Sequence, residues 1–348
     1  MRELKIAKYI INDDSDSFVI AEVGHNHQGN VETAKEIFSK AKEAGANAVK
    51  LQKRDNKVLF TEEMYNSVYD SANAYGKTYG EHRDALEFGY DEYIELQQYA
   101  KELDLIFFAT PFDLPSVDFL EKIDVPLYKI ASADIKSFPL LKHVALTGKP
   151  ILISTGGSTM EDVEKAYGTI TEYNPNIAIL QCTAAYPCEP ENMNLNVIKT
   201  YRDKFPDNVI GISDHQSGIG MALVAYTLGA RIVEKHFTIN RAWKGTDHSF
   251  SLEPQGLTKL VRDLKRAKVA LGNGKKELMD KEIKPLFKMG KKLVASRSLK
   301  KGTILSDGDI TIKSPNDGLS PYEWDNVIGL ELKKNLEKDE NILFEDLN

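Results

Sequence analysis

Apolar and polar positions follow two alternating periods along this chain. Eight short runs rich in β-branched and aromatic residues are separated by stretches with apolar residues at helical spacing. The runs cover residues 18–23, 47–52, 105–110, 127–131, 151–155, 177–182, 209–213 and 231–236. Strands that alternate with helices pair in parallel, and eight such units favour an α/β fold, a closed (β/α)8 barrel, over an open doubly wound sheet. No GxGxxG follows the first run, which weakens a dinucleotide-binding alternative.

Two segments depart from this rhythm. A leading strand is predicted over residues 4–11, before the eight repeating units. The connection over residues 53–90 is far longer than an ordinary βα loop, and it carries Tyr65, Tyr69, Tyr75 and Tyr79. Long loops in compact domains commonly serve as lids or binding loops. A surface excursion with a short helix of its own is an equal alternative.

The barrel pattern ends with an eighth helix over residues 256–271. A charged segment follows, and then come short apolar runs broken by Lys-Lys-Gly, Asp-Gly and Asn-Asp-Gly turns. The predicted organisation is a catalytic barrel over residues 1–272, a linker over 273–289 and a small, mostly β domain over 290–348. Because so small a domain buries little core, we expect it to carry little chemistry alone.

Composition narrows the functional classes. The 348 residues suit one barrel with a small appendage, and 45 basic against 52 acidic residues give a net charge of −7 without long like-charge blocks. Neither a nucleic-acid partner nor a polybasic membrane patch is expected. Cys182 and Cys188 are too few for a disulfide framework, no apolar run reaches the length of a membrane span, and the first residues lack a signal-peptide pattern. We expect a cytoplasmic protein.

Polar side chains collect where the predicted strands end, which is where barrels of this kind carry their active sites. His215 and His236 stand at the ends of the seventh and eighth strands. Period-2 alternation puts Ser213 on the same side as His215, and Glu234 on the same side as His236. Two histidines at matching ends of neighbouring strands predict a site for one metal ion. Histidines that are only hydrogen-bonded at strand ends are the alternative.

Two lysines, Lys50 and Lys129, lie inside otherwise apolar strands, where an unpaired ammonium group is unfavourable. Each needs an anion or a carboxylate partner, and pairing with Glu22 or Glu234 explains one lysine more easily than two. With nearby hydroxyls, the two lysines predict a cradle for a phosphate or carboxylate group. The hydroxyl candidates are Thr110, Ser132, Ser154 and Ser213, and the Gly156-Gly157 pair is a weak additional signal.

Several other residues have weaker claims on the site. Asp247 either faces the metal or forms a turn, since both roles suit an aspartate in GTDHS. Whether His25 and His248 belong to the site is left open. Polarity alone does not assign His82 or His143 to the site.

Eight motifs resemble those of the sialic acid synthase family, which includes N-acetylneuraminate, legionaminate and pseudaminate synthases. AEVGHNHQG resembles the family's AEIGxNHxG, VKLQ its VKxQ, TPFD its TPF, YKIASAD its YKIxSGE and LISTGG its LSTGM, and QCTAAYP, GISDH and VEKHFT complete the set. These motifs occur in order across the whole barrel. The C-terminal segment, which opens with ASRSLKKGTILSDGDI, resembles the antifreeze-like (SAF) domain that ends these enzymes.

The resemblance implies a reaction, a cofactor and an assembly. Family members condense phosphoenolpyruvate with an open-chain six-carbon N-acyl amino sugar, such as N-acetylmannosamine or a 2,4-diacetamido 6-deoxyhexose. They release phosphate and form a nine-carbon 2-keto acid. The implied cofactor is a divalent ion, Mn²⁺ first with Mg²⁺ or Co²⁺ as alternatives, which is held by His215 and His236 and polarises the aldehyde oxygen. The implied assembly is a domain-swapped homodimer.

The resemblance also assigns roles to residues. Phosphoenolpyruvate would be held by Lys50, Thr110, Lys129, Ser132, Ser154 and Ser213. The sugar would be bound by Gln52, Tyr186 and Asp247, together with Ser314, which occupies the place of an arginine that reaches the sugar of the partner subunit. The implied catalytic set is Glu22, as a candidate acid or base near the metal, with His215, His236 and Asp247.

Three positions depart from the family pattern. The family's VKRP reads IKSP here, so Ser314 replaces the arginine, Ala184 replaces an asparagine common in neuraminate-making members, and Asp134 replaces the glutamate of YKIxSGE. Serine does not match the forked donors of arginine. The sugar is therefore expected to differ from plain N-acetylmannosamine: it lacks that N-acetyl group, carries another C2 substituent or is a diacylated 6-deoxy sugar. A compensating contact from Lys313, Asn316 or a loop tyrosine is the alternative.

Two other functional classes stay open at this point. A metal-dependent barrel hydrolase or aldolase would use the same two histidines. A non-catalytic saccharide-binding or assembly protein would have the C-terminal domain as its working part. Release of phosphate from phosphoenolpyruvate in a metal-dependent, sugar-dependent assay separates the three.

Overall fold

The computed structural model describes residues 2–348, which divide into two compact units. The first unit ends at Gly272, and the second comprises Asn273–Asn348. Within residues 2–348, none of the helices has both the length and the apolar character needed to cross a bilayer.

The first unit opens with an antiparallel hairpin of β1 (Glu3–Ile6) and β2 (Tyr9–Asn12). The prediction of a single strand over residues 4–11 is therefore wrong. The chain reverses at Ala7, whose φ of 48° lies in the left-handed region that residues other than glycine seldom adopt. Because Ala7-Lys8 contains no glycine, proline, asparagine or aspartate, the sequence carries no turn signal there.

Eight parallel strands form a closed barrel in the first unit. They are β3 (Phe18–Gly24), β4 (Ala48–Lys53), β5 (Ile106–Pro111), β6 (Tyr128–Ile130), β7 (Ile151–Ser154), β8 (Ile177–Cys182), β9 (Val209–Asp214) and β10 (Ile232–His236). Each strand pairs with the next one along the chain, and β10 closes the barrel on β3, with Ile232 opposite Phe18. The predicted (β/α)8 barrel is confirmed.

Helices alternate with these strands. In chain order they are α1 (Val31–Ala44), α2 (Asn56–Leu59), α3 (Glu62–Asn66), α4 (Tyr79–Asp84), α5 (Tyr90–Glu102), α6 (Leu114–Ile123), α7 (Phe138–Ala145), α8 (Met160–Thr171), α9 (Val197–Lys204), α10 (Gly220–Thr227) and α11 (Pro254–Leu271). The sequence sets their ends: α1 begins after Asn30, whose side chain accepts a hydrogen bond from the Thr33 N–H at 2.9 Å. It ends at Gly45, whose φ is 91°.

The long connection after β4 holds the three short helices α2, α3 and α4. Both interpretations of this segment apply in part. It forms short helices of its own, and Asn73 and Arg83 from it line the cavity described below.

Close packing inside the barrel fixes the ends of the strands. A Cβ atom at Gly211 would lie 2.4 Å from Cδ2 of Leu180 and 2.6 Å from the carbonyl oxygen of Ile232. Any larger side chain would push β8 and β10 away from β9. The glycine therefore lets β9 pack tightly between its neighbours, and this packing holds Ser213 and His215 at the strand end.

The second unit contains α12 (Asp280–Met289), β11 (Lys292–Ala295), β12 (Ile310–Lys313) and α13 (Trp324–Val327), and β11 pairs with β12 in antiparallel fashion. Its small core includes Leu293, Ala295, Leu299, Leu305, Ile310, Val327, Leu332, Leu336, Ile342 and Leu347. The segment interpreted as a linker contains α12 and belongs to this unit. Side chains of Ile283, Leu286 and Phe287 on α12 are exposed.

Candidate active site

A cavity of about 830 Å³ lies at the carboxyl ends of the barrel strands. Every strand, or the loop that follows it, supplies at least one lining residue. The lining includes twelve of the predicted site residues, Glu22, Lys50, Gln52, Thr110, Lys129, Ser132, Ser154, Tyr186, Ser213, His215, His236 and Asp247. A cavity of this size has room for two small metabolites side by side.

Four buried charged groups form the floor of the cavity. Nζ of Lys50 lies 2.7 Å from Oε2 of Glu22 and 3.8 Å from Oε1 of Glu234, and Nζ of Lys129 lies 3.4 Å from the same Glu234 oxygen. Lys50 also donates a hydrogen bond to Oγ1 of Thr110 at 2.9 Å. The expectation that a carboxylate partner explains only one lysine easily is wrong, because both lysines have one.

The two carboxyl groups differ in their protonation behaviour. Burial raises the pKa of Glu22, and Lys50 offsets this effect only in part. Burial acts in the same direction on Glu234, but Lys129 and Lys50 outweigh it and hold the pKa of Glu234 at about 2. Burial also lowers the pKa of Lys129. Glu22 is therefore the carboxyl group of this cluster that takes up a proton more readily.

Hydroxyl and amide groups surround the lysines. Oγ of Ser132 accepts a hydrogen bond from the Gly156 N–H at 2.9 Å and lies 3.4 Å from Sγ of Cys182. Ser213 donates a hydrogen bond to Glu234 at 3.2 Å. Oγ of Ser154 is buried and has no hydrogen-bond partner among the described residues. A buried hydroxyl without a partner in a cavity wall is available to a bound anion.

The predicted pair of histidines stands at the ends of β9 and β10. The ring centroids of His215 and His236 are 5.3 Å apart. Burial lowers the pKa of His215 to about 4 and also lowers the pKa of His236. Both rings are therefore neutral at physiological pH, which is the form that binds metals.

The ring nitrogens of this pair fit a metal ion. Nδ1 of His215 lies 3.0 Å from the carbonyl oxygen of Thr183, and a carbonyl only accepts, so Nδ1 carries the proton and Nε2 keeps a lone pair. Nδ1 of His236 is buried without a hydrogen-bond partner, and Oδ2 of Asp247 lies 3.7 Å from it. Within residues 2–348, no group of three or more His, Cys, Asp or Glu side chains is arranged to hold an ion.

Three of the residues assigned to the sugar, Gln52, Tyr186 and Asp247, line the cavity, and the described lining does not include the fourth, Ser314. The ring of Tyr186 lies 4.2 Å from that of His215, centroid to centroid, and Nε2 of Gln52 donates to Oε1 of Glu22 at 2.8 Å. Ser314 lies in the second unit, where its Oγ accepts a hydrogen bond from Nζ of Lys291 at 2.7 Å. Its contact with a partner subunit stays a prediction.

The structure adds cavity residues that the sequence did not single out as binding groups, and three of them are charged or titratable neighbours of one another. Arg54, Arg83 and His25 lie together in the cavity wall. Arg54 follows β4 directly, so the strand-end rule could have found it. Arg83 comes from α4 in the long connection, where no periodic pattern points toward the barrel.

The other histidines lie outside the cavity wall as the structure describes it. Nδ1 of His248 lies 2.7 Å from the Thr238 hydroxyl, and His143 lies 2.8 Å from Asp118 at the surface. His82 is buried in the long connection. The four loop tyrosines are likewise absent from the described lining, and Tyr75 donates instead to the carbonyl oxygen of Lys244 at 2.6 Å.

Comparisons with known proteins agree with this arrangement. Residues 37–276 match the NeuB family, and residues 292–348 match the SAF domain. The chain is 41% identical to N-acetylneuraminate-9-phosphate synthase of Homo sapiens, over 94% of this chain and 92% of that protein. It is 34% identical to N,N'-diacetyllegionaminic acid synthase of Legionella pneumophila, over 95% of this chain and 94% of that protein.

A solved structure extends the likeness to three dimensions. It is that of an N-acetylneuraminic acid (sialic acid) synthetase from Leptospira borgpetersenii, in complex with citrate. The TM-score is 0.72 at 33% sequence identity, and the match covers 82% of this chain and 95% of that one.

Fold and site together define a barrel enzyme with two buried lysines in the cavity floor and a pair of neutral histidines at its strand ends. A family assignment follows from the matches across the barrel and the C-terminal unit. The chain belongs to the NeuB family, and it ends in a SAF domain. The resemblance to the sialic acid synthases is confirmed, as is the small C-terminal domain of antifreeze-like type.

Proposed function

We propose that this enzyme is a nonulosonic acid synthase. It joins phosphoenolpyruvate to an open-chain six-carbon N-acyl amino sugar, forms a nine-carbon 2-keto acid and releases inorganic phosphate. The observation that carries the proposal is the location of Lys50 and Lys129 in the same cavity as His215 and His236. The two lysines suit a multiply charged anion, and the two histidines suit a metal ion that activates a carbonyl group.

Phosphoenolpyruvate fits the floor of the cavity. Its phosphate and carboxylate groups need several donors, and Lys50, Lys129 and the Ser154 hydroxyl are grouped there. Without a ligand, Glu22 and Glu234 balance the charges of the two lysines. When phosphoenolpyruvate binds, its negative charge makes uptake of a proton by the protein more favourable. Glu22 is the group whose raised pKa suits it to take up that proton.

A divalent cation, Mn²⁺ in the first place with Mg²⁺ or Co²⁺ as alternatives, is the proposed cofactor. His215 and His236 would hold it, and the orphaned Nδ1 of buried His236 supports this assignment. When bound, the ion would supply Lewis acidity to the aldehyde oxygen of the sugar. Asp247, beside His236, and Gln52, beside Glu22, are positioned to orient sugar hydroxyls.

The bond changes balance with one water molecule as the only further reactant. A bond forms between C3 of phosphoenolpyruvate and the aldehyde carbon of the sugar, and water adds at C2. The C2 phosphate then leaves as inorganic phosphate, which yields the 2-keto group. Glu22 is the proposed proton-transfer group, since its carboxyl lies next to both Lys50 and Gln52.

The relatives differ in the sugar that their names imply. Phosphoenolpyruvate contributes three carbons, so C9 of the product is C6 of the six-carbon sugar. The name N-acetylneuraminate-9-phosphate synthase then implies a sugar phosphorylated at C6, whereas N,N'-diacetyllegionaminic acid synthase implies a diacylated sugar. The proposed function covers both sugars.

The proposed assembly is a domain-swapped homodimer in the cytoplasm. Exposed apolar side chains on α12, among them Ile283 and Phe287, support a contact between protein chains. The free thiols Cys182 and Cys188 support a reducing compartment. Mass measurement by light scattering tests the dimer, and Phe287→Glu should shift the protein toward a monomer. A wild-type monomer that is fully active would contradict it.

The function itself is tested by incubating the protein with phosphoenolpyruvate, Mn²⁺ and a panel of aldoses. We expect sugar-dependent release of inorganic phosphate and a nine-carbon 2-keto acid in the mass spectrum, and both should stop when a chelator is added. Sugar cleavage without phosphoenolpyruvate would favour an aldolase or hydrolase. Sugar binding without turnover would favour a saccharide-binding protein.

A further inference from the structure

A buried ion pair joins β9 and β10 directly before the two histidines. Nζ of Lys235 donates a hydrogen bond to Oδ2 of Asp214 at 2.9 Å, and neither side chain is more than 1% exposed. Asp214 precedes His215 in the chain, and Lys235 precedes His236. Because side chains alternate along a strand, the ion pair lies on the outer face of the barrel while both histidines line the cavity. We call Asp214 and Lys235 the strand-end pair.

The ammonium group of Lys235 binds the chain on both sides of His215. Besides the carboxylate of Asp214, it contacts the backbone carbonyl oxygen of Gln216 as a hydrogen-bond donor. The second carboxylate oxygen of Asp214, Oδ1, accepts a hydrogen bond from the Gln216 N–H at 2.8 Å. The residues before and after His215 are therefore tied to one side chain of the neighbouring strand, and that side chain belongs to the residue before His236.

His215 needs such contacts because it lies beyond the backbone ladder of its strand. Strand β9 ends at Asp214, and its register with β10 ends where Lys235 lies opposite Asp214. His236, in contrast, lies within β10 and pairs with β3. The carbonyl oxygen of His215 accepts a hydrogen bond from the Cys188 N–H at 3.1 Å, which ties it to the loop after β8. The strand-end pair supplies a direct link from this segment to β10.

The contribution of the strand-end pair is better explained by geometry than by stability. A buried ion pair adds little net stability, because the free energy of desolvation offsets the attraction between the charges. Charge-assisted hydrogen bonds are short and directional, so they fix the separation of the groups that they join. Metal ligands on two strands bind one ion well only if their separation is held by the residues around them.

We propose that the strand-end pair is a positioning pair for the metal site, which fixes the separation of His215 and His236 before the ion binds. This inference rests on the proposed function, because it assumes that the two histidines hold the divalent cation. The described lining of the cavity includes neither Asp214 nor Lys235. Each of them therefore acts through the histidine that follows it.

The test is a calorimetric titration of the full-length protein with Mn²⁺, after a chelator has removed any bound metal. Lys235→Met leaves the charge of Asp214 buried and uncompensated, whereas Lys235→Met/Asp214→Asn removes both charges and keeps an acceptor oxygen for Gln216. The double variant should therefore recover most of the stability that the single variant loses. We expect it still to bind Mn²⁺ about ten- to hundredfold more weakly than wild type, because the link between the strands stays broken.

Asp214→Asn alone is the milder variant, and it provides the measurement if the double variant fails to fold. It should weaken Mn²⁺ binding by about three- to tenfold, since a neutral acceptor replaces a charged one. Affinity for phosphoenolpyruvate, measured with chelator present, should change less than about twofold in both variants, because Lys50 and Lys129 lie on other strands.

Arg202→Met is the matched control for a broken ion pair away from the histidines. Arg202 pairs with Asp13 at 2.7 Å, and the described lining of the cavity includes neither residue. This variant should lower the melting temperature and leave the Kd for Mn²⁺ unchanged. An equal loss of Mn²⁺ affinity in Arg202→Met would overturn the inference, because affinity would then follow stability alone.

The outcomes separate this inference from the proposed function. Wild-type Mn²⁺ affinity in the folded double variant, or in Asp214→Asn where that variant has to replace it, would overturn the inference and leave the proposed function standing. If wild type binds Mn²⁺ but releases no phosphate from phosphoenolpyruvate with any sugar, the proposed function fails, and weaker Mn²⁺ binding by the variants would still support the positioning pair. A wild-type protein that binds no divalent cation would overturn both.

Discussion

Nζ of Lys50 lies 2.7 Å from Oε2 of Glu22, and neither side chain is more than 3% exposed. The lysine proposed to bind phosphoenolpyruvate thus already has a carboxylate neighbour in the free protein. Removing one partner of such a pair leaves an uncompensated buried charge, whereas removing both does not. The pair therefore allows the contribution of Lys50 to stability to be separated from its contribution to binding.

The first prediction compares Lys50→Met with the double variant Lys50→Met/Glu22→Gln. The single variant should lower the free energy of unfolding by about 3–5 kcal/mol, the usual effect of breaking a buried ion pair, and the double variant should recover most of that. Both should raise the KM for phosphoenolpyruvate at least about tenfold. Urea denaturation and steady-state kinetics provide the measurements. A double variant with wild-type affinity for phosphoenolpyruvate would contradict the assignment of Lys50 to phosphoenolpyruvate binding.

The second prediction concerns the metal site and can be checked without turnover. His236→Ala should weaken Mn²⁺ binding by more than about 100-fold, because even changes behind the ligands weaken metal binding 10- to 100-fold. His215→Ala should act alike. His143→Ala is the control, since that exposed ring contacts Asp118 at the surface, away from the cavity lining. Calorimetric titration with Mn²⁺ measures all three, and near-normal binding by His236→Ala would rule out the two-histidine site.

The barrel could be predicted because its signals are local and repeated. Runs of β-branched residues and the polar residues that follow them depend on neighbours in sequence, so the strand ends and their histidines and lysines were found together. The hairpin at Ala7 was not predicted because no turn residue marks it. The φ of 48° at Ala7 is imposed by the backbone context alone.

Pairing across the barrel could not be predicted from the sequence in the same way. The contact of Glu234 with both Lys50 and Lys129 depends on strand register and side-chain direction across the floor. Arg83 and His25 meet only because the long connection folds back over the strand ends. Nothing local in the sequence specifies such a meeting.

The third prediction is a pH dependence of stability at Asp134. Burial raises its pKa from 3.8 to about 6, and its Oδ2 has no hydrogen-bond partner among the described residues. The folded state then binds this proton more tightly than the unfolded state, so the contribution to stability is full below about pH 4 and is lost as pH rises to 6. Asp134→Asn should therefore stabilise the protein above pH 6 by about 2–3 kcal/mol, at about 1.4 kcal/mol per pKa unit.

Thermal unfolding of wild type and Asp134→Asn between pH 4 and pH 8 checks this prediction. The difference in melting temperature should grow with pH and vanish near pH 4. Asp162→Asn is a control of opposite sign, because hydrogen bonds from Thr159 and Lys136 lower the pKa of Asp162 to about 2. That variant should be less stable than wild type at neutral pH. A pH-independent difference for Asp134→Asn would contradict the buried-carboxyl explanation.

The last prediction concerns a cation that we expect to take the place of the arginine that is absent at position 314. Of the alternatives that the sequence offered, Lys313 pairs with Asp339 at 2.5 Å, and the backbone N–H of Asn316 donates to the carbonyl oxygen of Phe287. Lys291, which the sequence did not single out, donates to Oγ of Ser314 at 2.7 Å and forms no ion pair among the described residues. In the proposed swapped dimer, it is therefore the ammonium group available to the sugar.

Lys291→Met should raise the KM for the sugar roughly tenfold and leave the KM for phosphoenolpyruvate unchanged, because a hydrogen bond to a charged group contributes about 1.5–3 kcal/mol. Lys313→Met, the matched control on the adjacent strand, should change neither constant more than about twofold, since that lysine is already paired. Ser314→Arg should restore affinity to Lys291→Met if the two cations act at one position. Light scattering must find each variant still dimeric, so that a lost interface is not mistaken for a lost contact. Equal effects of the two lysine variants would mean that Lys291 has no specific role at the sugar.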